Sequence, residues 1–426
     1  MKNIHIIVLM LFCISGKTQV SFFNYFTGER LRYDYIVVGN NKEIHFFDNQ
    51  YFKEPAWGGP IVNLIDTFRY GELFVEVSDS ASGRVIFSRG YSSLFKEWQT
   101  VKEAKNRELA FVESLVVPFP INTVLLKIYE RDSLSVFQSV HATYINPSLS
   151  YIKNANCREP VEIHKLFISG SSHNKVDVAI VAEGYTNSEK AVFLEDAGYF
   201  MESFFSREPY KSLRDKFNFY ALFVPSNQSG TDMPNDTIWK NTALNSSFST
   251  FGSERYLTVS NISELREMAS EVPYDQLCVL VNTDKYGGGG VYNSFTVFSA
   301  HNEFSEFLFT HEFGHAFASL ADEYYTSPTA YDEYITINIE PYQPNITTRV
   351  NFQSKWEDML NDTIPVPTPN CEKYIGVVGL FEGAAYQAKG IYRPFYDCIM
   401  KSKTCIEFCP VCQRAIRNMI HFYCGE

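Results

Sequence analysis

Residues 311 to 325 read HEFGHAFASLADEYY, and no other stretch of the chain is so well equipped for chemistry. His311 and His315 stand four apart. On a helix that spacing turns the two imidazoles about 40° from each other and one turn apart along the axis, so both can face one point. Two nitrogens so placed match what a tetrahedral zinc ion takes from a pair of histidines. Glu312 follows the first histidine directly. From there its carboxylate reaches a water on the metal without ligating the metal, which suits it to take that water's proton as general base. The chemistry implied is hydrolysis with Zn2+ as cofactor, Glu312 as the catalytic group, and His311 and His315 as metal ligands. The bland alternative is a pair of hydrogen-bonded histidines on a buried helix.

A zinc ion held by two histidines needs a third protein ligand. Asp322, Glu323, Glu333 and Glu340 are the candidates, and Asp322 is the first choice. On an unbroken helix Asp322 would return to the same face, but about 16 Å along the axis from His311, too far to share the ion. It can ligate only if the helix stops soon after His315 and the chain doubles back. Ser319 is a weak stop, and no glycine stands there. If the helix runs on, Glu333 or Glu340 would have to come from a second helix. Tyr324 and Tyr396 are candidate phenol donors to an oxyanion, each also readable as a packing residue. His301 is a candidate entrance residue.

The elements that must carry these groups are legible in outline. Phe304, Phe307, Leu308, His311 and His315 share one broad face, and Glu303 and Glu306 sit where a helix N-terminus favours acids, so an active-site helix is predicted. Upstream, VDVAIVAEGYT is an apolar strand ending in a glycine turn. Thr186 with Glu189 forms a capping box for a helix running to about Arg207. FNFYALFVPS and LCVLVNT read as further strands, and residues 226–250, rich in Asn, Ser and Thr, as a long loop. This alternation of strands and helices predicts an α/β-type catalytic domain over residues 173–426. Gly287 to Gly290 allow two readings: a strand edge along which an extended peptide pairs, or a mobile hairpin loop.

Before it, residues 20–147 carry a succession of strand patterns. Leu31, Tyr33, Tyr35 and Val37 alternate with other residues and stop at Gly39-Asn40-Asn41; Leu73, Val75 and Val77 alternate likewise. RVIFSRG, TVLLKIYE and VFQSVHATYI follow at short intervals. The expectation is an antiparallel β-sandwich in an accessory role, since no catalytic cluster of His, Asp, Glu or Cys occurs there. Residues 148–172 read as a linker. The fold expected overall is α+β, or mixed.

Composition narrows the setting. Hydrophobic residues make up 45% of the 426 and charged residues 20%, which excludes a disordered, collagenous or coiled-coil chain. The formal net charge of −12 comes with no basic stripe, which argues against nucleic acid as a partner. Residues 1–19, with Lys2 before the apolar run Ile4 to Ile14, read as an export signal, and no membrane span is expected after it. Cys13 raises a lipid anchor, but Phe12 is too bulky for the residue before it, so soluble export is preferred. Eight cysteines remain, six of them after residue 370. In an oxidising compartment that crowding favours disulfides stapling a C-terminal subdomain. The rival is a structural zinc site using Cys405, Cys409, Cys412 and one more thiolate. Cys278, inside QLCVLV, reads as a buried thiol.

The string HEFGHAFASLADEYY resembles the signature of the bacterial IgA-peptidase family of secreted zinc metallopeptidases. The strand and helix at DVAIVAEGYT, the stretch GGGGVYN and the tail DCIMKSKTCIEFCPVCQRAI are similar to that family's catalytic domain, and residues 20–145 to the domain often preceding it. The resemblance implies a metzincin-like fold with a mixed sheet, a protein or peptide substrate, and host immunoglobulin or another extracellular protein as partner. It makes His311, His315 and Asp322 the ligands, Glu312 the base and Met400 the methionine beneath the metal. The chain departs from the metzincin pattern HExxHxxGxxH: Ala318 stands at the glycine place and Ala321 at the third histidine, with Asp322 one residue later. Two other classes compete. A glycoside hydrolase would need two carboxylates flanking a sugar bond. An exported non-catalytic glycan- or protein-binding protein would use a closed, structural metal site, in which Glu312 has no purpose.

Overall fold

The computed structural model describes residues 20–155, 161–326 and 335–426. The proposed export signal with Cys13, and also Cys157 and Glu333, lie outside the described residues.

The alternating apolar positions of the first part become strands: β1 (Phe26–Gly39), β2 (Ile44–Glu54), β3 (Leu73–Asp79) and β4 (Val85–Tyr91), then the short helix α1 (Leu94–Trp98), then β5 (Leu109–Pro120), β6 (Val124–Arg131), β7 (Phe137–Ile145) and β8 (Ile152–Asn154). They form two four-stranded sheets, ordered β5-β1-β2-β8 and β4-β3-β6-β7. Every pairing is antiparallel except the short β2–β8 contact. Tyr33, Tyr35 and Val37 from one sheet join Val75, Val77, Leu126 and Ile128 from the other in one apolar cluster. An apolar residue at every second position sets the register, because a one-residue slip would turn each of those side chains to the other face.

Six further strands form the second large sheet. These are β9 (Glu162–Ile168), β10 (Val176–Glu183), β11 (Phe217–Phe223) and, after the two-residue pair β12 (Ser246–Ser247) and β13 (Thr258–Val259), β14 (Gln276–Val281), β15 (Gly288–Val291) and β16 (Phe295–Ser299). The order is β15-β16-β14-β10-β11-β9, with the four central strands parallel and both outer strands antiparallel. Strands β10, β11 and β14 are buried along their whole length, as parallel strands covered on both faces must be. One face packs helices α2 (Lys190–Phe204), α4 (Ser305–Ala318) and α5 (Pro410–Cys424) through Phe200, Phe204, Phe309, Phe313 and Ile416. The other packs α3 (Ile262–Met268) through Ile262 and Leu265. The capping box at Thr186 and Glu189 is present, followed by a turn of 3₁₀ helix before α2. A last hairpin, β17 (Phe381–Ala384) and β18 (Gln387–Arg393), precedes α5. The fold is thus mixed α and β, rich in sheets and sparing in helices.

Residues 148–172 are not only a connection. They contain β8 and also β9, which closes one edge of the six-stranded sheet. Strand β9 reads EIHKLFI and is half exposed, so its polar residues hide the strand pattern from a periodicity argument.

The two parts meet over polar contacts. Arg30 is fully buried; it bonds Glu54, donates to the Ser270 carbonyl at 3.3 Å and stacks over Tyr274. Ser263 donates to Asp34 at 2.6 Å, Arg266 to the Ser114 carbonyl at 3.2 Å, and the Ser92 N–H to the Tyr292 carbonyl at 2.9 Å. This contact carries α1 to the rim of the cleft described next.

Candidate metal centre

Helix α4 carries His311, Glu312 and His315, and it ends where the third-ligand argument needs it to end. Ser319 adopts a left-handed conformation, with φ 53° and ψ 34°. Its N–H bonds the His315 carbonyl at 3.1 Å, and the Leu320 N–H reaches back to Gly314 at 3.2 Å. The bond from the left-handed Ser319 to His315 is the 5→1 bond of an αL helix stop, a position glycine usually fills. The chain then doubles back, with Ala321 gripped on both sides by the buried Asn345. Asn345 Oδ1 accepts the Ala321 N–H at 2.7 Å, and its Nδ2 donates to the Ala321 carbonyl at 2.8 Å.

That turn brings Asp322 to the two histidines. The Nε2 atoms of His311 and His315 lie 3.1 Å apart, and Asp322 Oδ1 is 3.1 Å from the first and 3.4 Å from the second. Both rings are oriented from behind: His311 Nδ1–H donates to the Ile399 carbonyl at 3.0 Å and His315 Nδ1–H to the Leu320 carbonyl at 2.5 Å. The Nε2 lone pairs therefore converge, as carbonyl-bonded metal-ligand histidines do. Asp322 Oδ1 is buried and makes no aligned hydrogen bond, while Tyr386 donates its hydroxyl to Oδ2. A tetrahedron of N and O donors about 2.05 Å from zinc has edges of about 3.3 Å. The three measured separations fit it, so this donor set suits a zinc-class ion. Burial pushes the Asp322 carboxyl up, but the imidazoles outweigh it and hold it well below the usual carboxylate range.

Glu312 lines, together with His311, His315 and Asp322, an open cleft of ≈ 330 Å³. Burial raises its carboxyl above the usual range, against the pull of His311 and His315. Strand β15 runs alongside. A Cβ on Gly290 would sit 2.2 Å from the Glu312 carbonyl oxygen, and one on Gly288 would sit 3.1 Å from Glu312 Cγ. Only glycine lets a strand lie this close to α4. The glycine run is thus a strand at the end of the sheet rather than a loose loop, and Gly288 also bridges Tyr256. Around the cleft stand Tyr324, Tyr386, Arg255, Tyr286, Lys401 and Lys403. Arg255 donates to the Tyr324 hydroxyl at 3.1 Å.

The structure sorts the candidates. His311, His315 and Asp322 come together, and Glu312 stands beside them. Glu323 turns away from them. Glu340 instead accepts from the Asn351 N–H at 2.8 Å and from Thr348. Tyr324 lines the cleft and Tyr396 does not; His301 bonds Asn282 at 3.1 Å, also outside it. Met400 is fully buried beneath α4, with its sulfur 3.0 Å from where a Cβ on Gly314 would be. Sequence reasoning missed Asn345, Tyr386 and Arg255, whose distance along the chain hides them. It also missed Glu97 of α1, which reaches the cleft, accepts from the Tyr256 hydroxyl and is pushed up to about 8 by burial.

The cysteines depart from the disulfide expectation. The seven within the described residues are all free thiols. Cys398, Cys409 and Cys412 gather with Glu323, all four buried. Cys405 stays outside, half buried, with its thiol toward the Glu407 carbonyl. The sequence pattern CxxxCxxC groups residues by spacing, whereas the turn at Met400 substitutes Cys398 for Cys405.

Among known proteins, residues 164–375 and 370–420 match the family described as IgA Peptidase M64, and residues 21–142 match the one described as Peptidase M64 N-terminus. No curated protein matches the chain.

Proposed function

The chain belongs to the IgA Peptidase M64 family, a family of metallopeptidases, and from that membership we propose that it is a zinc-dependent endopeptidase exported from the cell. Its substrate is a protein or peptide; immunoglobulin, named in the family's description, is the first to test, and other extracellular proteins follow. The observation that carries this reading is the convergence of His311 Nε2, His315 Nε2 and the unbonded Asp322 Oδ1, with Glu312 facing the cleft beside them.

His311, His315 and Asp322 would hold the ion. What zinc supplies when bound is Lewis acidity toward a water and a peptide carbonyl. Glu312 takes the proton that the water loses and returns it to the departing amine. Its raised proton affinity suits both steps, since a base must also give the proton up. Strand β15 offers its backbone to an extended substrate next to Glu312. Tyr324, braced by Arg255, donates to the oxyanion. Met400 under α4 and the mixed sheet support a metzincin-like catalytic part. The two facing four-stranded sheets support a sandwich as its accessory part. Export rests on Lys2 and the apolar run that follows it.

The test is Glu312→Gln. It should keep its zinc and lose cleavage of a general protein substrate, while His315→Ala should lose the ion from this site. If Glu312→Gln cleaves at the unsubstituted rate, the assignment of the base is wrong.

A further inference from the structure

One peptide bond beyond Asp322, the chain builds a second donor set. Cys398, Cys409, Cys412 and Glu323 are buried, and their ligand atoms lie within 4.8 Å of one another. We propose that these four residues form a second, structural metal site that takes a zinc-class divalent cation.

The geometry is that of a thiolate-rich tetrahedron. With sulfur about 2.3 Å from zinc, two thiolates on one ion stand about 3.8 Å apart, and a thiolate and a carboxylate oxygen about 3.5 Å. Cys398 Sγ and Cys412 Sγ are 3.9 Å apart, and Cys412 Sγ is 3.1 Å from Glu323 Oε1. A disulfide brings its sulfurs to about 2.05 Å, and it would leave one of three thiols and the carboxylate without a role. Backbone N–H groups point at the sulfurs, Cys409 N–H at Cys398 Sγ (3.3 Å) and Cys412 N–H at Cys409 Sγ (3.5 Å). Such N–H groups suit thiolates, as they do other anions at a helix start. Glu323 Oε2 is buried with no hydrogen-bond partner. Ionised as ligands, a carboxylate and three thiolates in a dry interior would need a cation to offset their desolvation. Soft sulfur donors select a zinc-class ion over magnesium or calcium. With four protein donors the site is closed, which marks it as structural rather than catalytic.

Its position gives it a purpose. Cys409 and Cys412 begin α5, and Cys398 precedes the segment whose Ile399 carbonyl orients His311. The Glu323 N–H bonds the Met400 carbonyl at 2.8 Å. An ion at the second site therefore ties α5 and the Met400 turn to the segment that delivers Asp322. The inference stands whether or not the chain cleaves peptides.

The experiment uses the full chain, saturated with zinc and desalted, with metal counted by mass spectrometry. Two zinc ions per chain are expected. Cys412→Ser and His315→Ala should each fall to one, and the double substitution to none. In cobalt-exchanged protein, the near-ultraviolet thiolate-to-cobalt charge-transfer band should appear in the unsubstituted chain and persist in His315→Ala. That spectrum decides the matter even if Cys412→Ser fails to fold. A cobalt spectrum without the thiolate band, a zinc content that falls to none in His315→Ala, or a disulfide between any two of Cys398, Cys409 and Cys412 in the purified protein overturns the proposal. A catalytic reading that fails leaves this result untouched, because the thiolate band reports only the second ion.

Discussion

Asn345→Ala tests whether the return turn, rather than the helix, controls the third ligand. Asn345 is fully buried and makes three bonds: two to the Ala321 peptide groups, and a third from Nδ2 to Glu323 Oε1 at 3.0 Å. Alanine leaves the Ala321 N–H and C=O buried without partners. Each such group costs about 1–3 kcal/mol, so a loss of about 2–6 kcal/mol in unfolding free energy is expected. The turn would also hold Asp322 less firmly. Groups that act behind a ligand typically change metal affinity by about 10–100-fold, so zinc should be lost to a competing chelator at correspondingly lower concentrations. The assays are urea unfolding of both proteins under identical metal conditions, and titration of bound zinc against a chromogenic chelator. Asn345→Asp is the companion: it can still accept the Ala321 N–H, but it faces the Ala321 carbonyl and Glu323 with negative charge. Asn345→Ala that unfolds within about 0.5 kcal/mol of the parent and keeps its zinc equally well would refute the argument.

Two further predictions concern stability. Ser319 pays a left-handed backbone cost that glycine does not, so Ser319→Gly should raise the unfolding free energy by about 1 kcal/mol, read as a higher Tm; a lower Tm would contradict the helix-stop assignment. Glu113 is buried under α1, where it accepts the Phe95 N–H at 3.2 Å, and burial pushes its carboxyl up to about 7 from an ordinary 4.5. The folded chain thus keeps a proton that the unfolded chain has already released, so this group's contribution to stability falls as pH rises from about 4.5 to about 7, by about 3 kcal/mol in all. Glu113→Gln should flatten that part of the slope in urea midpoints measured at pH 5 and pH 7.5. Parallel slopes for the two proteins would show that Glu113 is not held neutral.

The parts of the site visible in the sequence were those set by short spacing. His311, Glu312 and His315 lie on one helical turn, and helical geometry is nearly invariant, so their relation survives into the fold. Asp322 was reachable only as a condition, that the helix stop and the chain return. The stop uses Ser319 where a glycine was sought, and what stabilises it is the clamp by Asn345, which nothing in the local sequence announces. Glu97 was invisible because it belongs to the strand-rich part, and only the docking around Arg30 and Ser92 carries it to the cleft. Strands whose apolar residues fall at every second position, such as β1 and β3, showed themselves through alternation. Strand β9 did not, since an edge exposes too much of both faces. The cysteines were grouped by proximity along the chain, but thiol chemistry depends on proximity in space, and there Glu323 and Cys398 displace Cys405.

Between His315 and Glu323 the backbone works as a ruler. Asp322 meets the imidazoles and Glu323 the thiols, yet the two acids are consecutive. Lengthening this stretch by one residue would hand each cluster its neighbour's side chain, an acid of different reach, or none. The stretch has no slack, because a single inserted residue would put both clusters out of step at once.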